Sequence, residues 1–546
     1  MNKNHSFQYN LFYLFLLTVL NCQSLADFDP FDWTLYRQTG EISSISEGYQ
    51  YIYFGSSEGG ILRINKYSNR IEEPITTAQG ISTNKILAVH FDQDTGILWA
   101  ITENGLEFSY SATGNWILIG RENIGLTGEE NIWRIGSSNS NLWIDAGHVA
   151  IKLDKVAGIL QSVQPVPDEI KIKWSSNNAP IINLPANYEN YLALNGWILN
   201  ANNFIGPSGE SSKITTYLID TSNNIWVGTE NGTFFNGDKQ METLVPFQTG
   251  LRNTNVQALS FNKSLWVAGI INKLSRGITQ INLNSLNFDY YDFSTTVNLP
   301  AASIYSIDQD NNEIWFGSGV GLITYDKIDK FWRVHSLNST VINSSITEIE
   351  HDSTHIWVGS KRGLGILDRL TKNMSGIDIN QNLFQFGITD IHLSGLYAWI
   401  STYYNLFRYD IENDKLESYK SIGEVSGLEG IQEFNQTFWE IASKDASIYF
   451  GTPYGIISYD RFTEEWEIVV EPSVYKSIRI NTMKFVNRFC FIGTDANFMR
   501  VDIESGLIRN YTLPFISQVK DMYISGDMIW LATNKGLVRF LWKKDL

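Results

Sequence analysis

"IWVGTENG" (Ile225–Gly232) returns along the chain in altered form. It reads "LWAITENG" from Leu98, "IWFGSGVG" from Ile314, "IWVGSKRG" from Ile356, "IYFGTPYG" from Ile448 and "IWLATNKG" from Ile529. Aligned on its aromatic, the motif recurs at Tyr53, Trp99, Trp143, Trp226, Trp266, Trp315, Trp357, Trp399, Tyr449, Phe491 and Trp530. The spacings run from 39 to 50 residues, save a gap of 83 between Trp143 and Trp226 that holds a weaker copy, "NYLALNGW" (Asn190–Trp197). A fixed period of this length marks a repeat architecture in which each unit buries its faces against its neighbours.

The offsets inside the unit carry the geometry. Two residues past the aromatic stands Gly55, Gly228, Ala268, Gly317, Gly359, Ser401, Gly451, Gly493 or Ala532. In a strand these two positions share one face, so large beside small lets a second sheet approach closely. The intervening residue, on the other face, is also apolar (Phe54, Val227, Phe316, Val358, Phe450). A strand apolar on both faces is covered on both sides. Six residues past the aromatic comes Gly or Asn in ten of the eleven clear copies, Val149 being the exception. These residues accept a positive φ at least cost, which predicts a tight hairpin turn there.

The flanks complete the unit. A strand ending in a polar turn precedes the aromatic, as in "SIYSIDQDNNEIWFG" (Ser303–Gly317). A third strand, a turn and a fourth strand follow it, as in "GLITYDKIDKFWRVHSL" (Gly321–Leu337). No sustained helical period interrupts the mature chain. Four antiparallel strands per unit of ~42 residues, covered on both faces, describe a propeller blade. The expected fold class is all-β: a β-propeller protein of about twelve four-stranded blades, arranged as two propellers because twelve exceed the usual four to eight in one ring.

The same stretches resemble the two-component-regulator propeller repeat, and "SGLEGIQEFNQTFWEIASKDASIYFGTPYGIISYD" (Ser426–Asp460) resembles a late blade of those periplasmic sensors. The resemblance covers essentially the whole mature chain. It implies a sensor-type propeller, here without the immunoglobulin-like domain, membrane helix and kinase portion of the hybrid sensors.

The last unit, Val519–Trp542, supplies three strands, and "FDWTLYRQTG" (Phe31–Gly40) matches the fourth, by comparison with "KFWRVHSLN" at Lys330. The N-terminal strand is therefore expected to close one propeller, with residues 27–205 and 473–546 in it and 206–472 in a second.

Residues 1–26 read as a signal peptide: Lys3, the apolar run Leu11–Leu20, and small residues at Ser24–Ala26. The run is too short to span a bilayer, so the expected location is periplasmic or secreted, not transmembrane. "VLNC" sets a lipid anchor at Cys22 as the alternative, although Asn21 stands where a small residue is usual. Cys490 is the other cysteine, so the mature chain folds by packing without an internal disulfide. A formal charge of −17 with no basic run argues against nucleic acid as partner.

Motifs that mimic chemistry fall on the repeat. "GSSEG" (Gly55–Gly59) has the spacing of a nucleophile elbow, and "GSGVG" (Gly317–Gly321) that of a dinucleotide loop, but each continues into a strand where those sites need a helix. "DQDTG" (Asp92–Gly96) and "DQDNNE" (Asp308–Glu313) lie at turns and do not extend to a calcium loop. His351 and His355 flank a turn, so no metal site, no cofactor and no catalytic residue is expected. Aromatics outside the repeat positions include Trp174, Trp197, Tyr290, Tyr291, Tyr403 and Tyr404. Tyr403 and Tyr404 occupy turn positions that are polar elsewhere, which makes them the candidate binding residues, since exposed Tyr stacks on sugars or anchors proteins.

Function is expected to be non-catalytic: an extracytoplasmic binding protein holding a glycan, peptide or protein partner. The alternatives are a structural subunit of an envelope or type IX-like secretion assembly, and a propeller lyase or hydrolase using axial acids.

Overall fold

The structure is a computed structural model describing residues 29–546 except 129–130, 177–181, 183, 186–187, 208, 336–343, 376–386, 404, 420–437, 454 and 477. The leader 1–26, Cys22 and Tyr404 therefore lie outside the described residues. The chain is all-β, and among the described residues only short 3-10 turns interrupt the strands.

Among the described residues eleven sheets follow one another, antiparallel save for one short parallel pairing, nine of them four-stranded with strands in chain order or closed by one distant strand. In chain order, sheets 1 to 6 span residues 42–75, 86–120, 134–174, 192–247, 256–292 and 304–334. Sheets 7 to 11 span 346–375, 388–419, 440–470, 480–511 and 519–540. The outer strand of sheet 11 is the N-terminal Trp33–Tyr36, paired antiparallel with Gly536–Phe540, and Trp33 stacks on Phe540 at 3.8 Å between ring centroids.

The weak copy at Asn190–Trp197 makes no sheet of its own, so the described sheets number one fewer than the units counted in the sequence. Its Leu192–Ala193 pairs in parallel with Thr243–Phe247 at the outer edge of sheet 4. Leu192 is 65% exposed while Trp197 is buried, so this segment has one covered face where a blade strand needs two.

The chain divides into two compact units, one of Asp29–His351 with Tyr523–Lys544 and Leu546, the other of Asp352–Met522 with Asp545. The first holds sheets 1–6 and the second sheets 8–10. In both, the repeat's small residue lies where the innermost strand of an adjacent sheet begins. A Cβ on Gly55 would meet Ile86 at 2.9 Å, on Gly317 Ile346 at 2.8 Å, on Gly359 Ile388 at 2.7 Å, and on Gly493 Val519 at 2.6 Å. Gly228 of sheet 4 meets Ile42 of sheet 1 in the same way, at 2.5 Å, and Ala532 of sheet 11 packs with Val256 of sheet 5. Large aromatic and missing side chain thus cooperate: the Trp fills one inter-sheet layer and the glycine lets the next sheet in. Trp99, Trp143, Trp226, Trp266, Trp315, Trp357, Trp399 and Trp530 are all nearly fully buried.

The hairpin after the aromatic differs from its expected form. Gly105, Gly232, Gly321, Gly363, Gly455 and Gly536 have positive φ, but Asn272, Asn405 and Asn497 do not. Side chains do the work instead. The Asn272 carboxamide oxygen accepts from the N–H groups of Leu274 and Ser275. A hydroxyl three residues past the aromatic recurs in nine copies and donates to the carbonyl that closes the turn, as in Ser318 to Gly321 (2.6 Å), Thr452 to Gly455 (2.9 Å) and Thr533 to Gly536 (2.8 Å).

Innermost strands have an edge whose N–H groups need acceptors. Polar side chains of the adjacent sheet supply them. Ser44 accepts from Val89 N–H and Ser46 from Phe91 N–H in the first unit, and Asp390 accepts from Ile441 N–H in the second.

Candidate functional site

The strand Leu265–Gly269 of sheet 5 places Trp266 opposite Gln280, which in turn faces Asp289 on the outer strand Asn287–Asp292. Sheet 6 presents Tyr325 paired with Trp332. Side by side, these rows enclose a cleft of about 790 Å³ between the outer halves of sheets 5 and 6.

Its floor is aromatic. Trp266 lies 5.0 Å from Tyr291, 5.5 Å from Tyr325 and 6.3 Å from Trp332 between ring centroids. The Tyr291 hydroxyl donates to Gln280 Oε1 at 3.0 Å, and Gln280 Nε2 donates to Ser264 Oγ at 2.7 Å. Burial raises the Tyr291 phenol well above its ordinary pKa, so the floor carries no phenolate. Polar groups stand above it: Asn262, Asn311, Asp289, Lys263, Lys327 and Lys330. Val297 and Phe331, 76% and 45% exposed, form the apolar part of the rim.

The second unit shows why this space is open. Between sheets 8 and 9 the same aromatic set recurs as Trp399, Tyr419, Tyr459 and Trp466. There Arg408 stands opposite Trp399, where sheet 5 has Gln280, and faces Glu417, where sheet 5 has Asp289. Its guanidinium donates to Glu417 Oε2 at 2.6 and 3.1 Å and to the Tyr459 hydroxyl at 2.9 Å. It also lies 5.0 Å from the ring centre of Tyr397. Tyr397 stands two residues before Trp399, and Ser264 two before Trp266. Arg408 and Tyr397 thus occupy the space over Trp399 between sheets 8 and 9, and the shorter Gln280 and Ser264 stand at the same positions over Trp266, where the cleft lies.

Other sequence candidates fall elsewhere. Tyr403 is 51% exposed at the hairpin between Tyr397–Thr402 and Leu406–Asp410, away from the described aromatic clusters. Tyr290 and Tyr291 line the cleft. Trp174 stacks against the Arg134 guanidinium at 4.3 Å. Ser57 of "GSSEG" sits in a hairpin, its hydroxyl accepting from Glu41 N–H. His351 Nδ1 lies 2.5 Å from Asp308 Oδ2, bracing sheets 6 and 7, and His355 pairs with Asp352 at 3.6 Å. Among the described residues, no group of three or more His, Cys, Asp or Glu is placed to hold a metal ion.

One Ser–His–Asp grouping was not legible from spacing. His90 Nε2 lies 2.9 Å from Ser137 Oγ, which donates to Asp92 Oδ1 at 2.7 Å. The carboxylate holds the serine, while His90 Nδ1 has no partner among the described residues. A hydrolytic triad needs the carboxylate on the histidine, and all three side chains here are buried between sheets 2 and 3. It is an inter-sheet brace. Burial lowers the His90 imidazole to about 4, which keeps it neutral.

No family model and no curated protein matches the chain. Solved structures similar to it include the extracellular domain described as that of hybrid two component system BT3049 from B. thetaiotaomicron, 15% identical over 91% of this chain and 74% of that one, with a TM-score of 0.44. The corresponding domain of BT4673 from B. thetaiotaomicron is 13% identical over 91% of this chain and 69% of that one, also at 0.44. Virginiamycin B lyase from Staphylococcus aureus is 14% identical over 53% of this chain and 96% of that one, at 0.42.

Proposed function

We propose that this chain is a non-catalytic extracytoplasmic binding protein that receives a glycan in the cleft between sheets 5 and 6. The observation that carries the reading is the contrast between two equivalent slots. One is plugged by Arg408 and Tyr397. The other is left open over Trp266, Tyr291, Tyr325 and Trp332 at about 790 Å³, a volume in the range of small-ligand sites. Planar amide and carboxylate groups around an aromatic floor suit sugar hydroxyls, and the exposed Phe331 offers a ring to the apolar face of a sugar. Among the described residues no helix is long and apolar enough to cross a membrane.

The test is a thermal-shift screen of the full chain against oligosaccharides and envelope peptides, since a ligand that binds the native state raises the melting temperature by mass action. An oligosaccharide is expected to raise it in the natural chain. The shift should vanish when the slot is plugged with the repeat's own residues, Ser264→Tyr with Gln280→Arg. A shift that survives plugging moves the site elsewhere, and no shift with any glycan removes the reading.

A further inference from the structure

We propose that the ligand of this cleft is an acidic sugar, one whose ring carries a carboxylate or sulfate; this rests on the reading of the cleft as a glycan site and specifies its chemistry. The chain has 41 basic and 58 acidic residues, so a random patch of its surface is acidic. The cleft reverses that balance, with Lys263, Lys327 and Lys330 around it against the single carboxylate of Asp289.

Lys263 and Lys330 are exposed and make no ion pair among the described residues. Lys327 is half-buried, and its ammonium donates to Gln309 Oε1 at 2.7 Å and to the Asp310 main-chain oxygen at 2.5 Å, both uncharged acceptors. Burial holds its pKa below the ordinary lysine value. The Asp310 carboxylate acts on this ammonium from nearby, and an anion brought to it adds the hydrogen-bonded counter-charge that its two acceptors do not supply.

The plugged slot shows that the lysines are not part of the repeat's framework. At the positions of Lys263, Lys327 and Lys330, sheets 8 and 9 carry Leu396, Arg461 and Glu464. Arg461 repeats the structural role of Lys327 by bonding the Ala446 carbonyl and Ser394. Lys263 and Lys330 have no such precedent: one replaces an apolar residue and the other an acid. Where the slot is filled internally, its cation, Arg408, is matched by Glu417. Where it is open, the unmatched charge is positive and sits at the mouth. A nucleic acid would require neutralising many phosphates in register, more than three lysines on so acidic a chain provide. A single anionic ring needs one or two.

The experiment is titration calorimetry of the full chain with oligogalacturonate (carboxylate), chondroitin sulfate oligosaccharides (sulfate), cello-oligosaccharides (neutral) and poly-glutamate. An acidic oligosaccharide is expected to bind at least tenfold more tightly than the neutral one. Its affinity should fall as salt is raised from 0.05 to 0.5 M, because exposed charge pairs are screened. The two acidic sugars distinguish carboxylate from sulfate. Lys263→Glu with Lys330→Glu, both at exposed positions, should weaken acidic binding about tenfold or more and leave the melting temperature of the free protein unchanged. Neutral binding as tight as acidic, indifferent to these lysines, overturns the inference and keeps the glycan reading. Poly-glutamate binding as tightly as the sugars overturns the sugar class. Acidic binding that survives Ser264→Tyr with Gln280→Arg places the anion site elsewhere and overturns it too. Binding of no glycan at all ends both readings.

Discussion

Arg408 stands opposite Trp399 in the same cross-strand position that Gln280 takes opposite Trp266. This repeat position, together with the one two residues before the Trp (Tyr397 or Ser264), distinguishes the two slots. Arg408→Gln should open the space between sheets 8 and 9, leave Glu417 with Lys415 as its remaining cation, and remove the bond to the Tyr459 hydroxyl. The pair is half-buried, so its Coulomb energy is partly screened and lost packing matters as much. Urea unfolding should show a loss of about 1–3 kcal/mol. A loss below ~0.5 kcal/mol would mean that Arg408 does not seal this slot.

Gly317, at the second position past the aromatic, is expected to resist a large side chain for a steric reason, although other copies carry Ala or Ser there. A Cβ on Gly317 would sit 2.8 Å from Ile346 Cγ2. Gly317→Val should cost about 2–4 kcal/mol through overpacking. Combining it with Ile346→Ala should recover part of the loss, since contacting sites are not additive. Gly319, whose added Cβ would have nothing nearer than 3.8 Å and whose φ is ordinary, is the control. Its Ala variant should stay within about 0.5 kcal/mol of the parent.

The blade and its packing were legible because they repeat. An aromatic, a small residue and a turn residue in constant register leave few alternatives to stacked four-stranded sheets. The hydroxyl at the third position was equally regular (Ser56, Thr102, Thr229, Ser318, Ser360, Thr402, Thr452, Thr494, Thr533), yet its role appears only with the turn in three dimensions. Asn272 shows the reverse error: its residue type suits a positive φ, but the side chain closes the loop and leaves the backbone ordinary. The cleft was not legible. Tyr291 is visible in sequence as an aromatic outside the repeat positions, but an open slot depends on which sheets adjoin. It also depends on Ser264 and Gln280 being shorter than their counterparts.

That hydroxyl should be worth its hydrogen bonds. Ser318 Oγ donates to the Gly321 carbonyl and accepts from Val320 N–H at 3.2 Å, in a fully buried position. Ser318→Ala leaves the buried carbonyl without this donor and should cost about 1–2 kcal/mol by chemical denaturation. Ser318→Thr keeps the oxygen, and Thr fills the same place at Thr452 and Thr533, so this variant should recover most of the loss.

His90 should make the protein acid-labile. Its folded pKa is lowered to about 4 from the ordinary 6.5 of a free imidazole, chiefly by burial, with the Asp92 charge opposing. The unfolded chain therefore takes up a proton between these values that the native chain refuses, so this group's contribution is complete above 6.5 and is lost as pH falls towards 4. Unfolding midpoints measured across this range should fall with acidification in the parent. They should fall less steeply in His90→Gln, which keeps a polar side chain towards Ser137.

Asp390 should act with the opposite sign. Its carboxyl is buried on the innermost strand Ile388–Ser394, and desolvation pushes it up to about 7 despite N–H donors from Ile391 and Ile441 and the nearby Lys484 charge. The native chain then holds a proton between about 4 and 7 that the unfolded chain has released. Stability from this group is therefore full below the unfolded carboxyl pKa and declines as pH rises through about 7. Asp390→Asn retains an acceptor for the neighbouring N–H groups and cannot ionise, so its stability relative to the parent should improve steadily from pH 4 to pH 8. Parallel profiles for parent and variant would show that Asp390 is ionised in the folded state at low pH, with its two N–H donors outweighing the cost of burial.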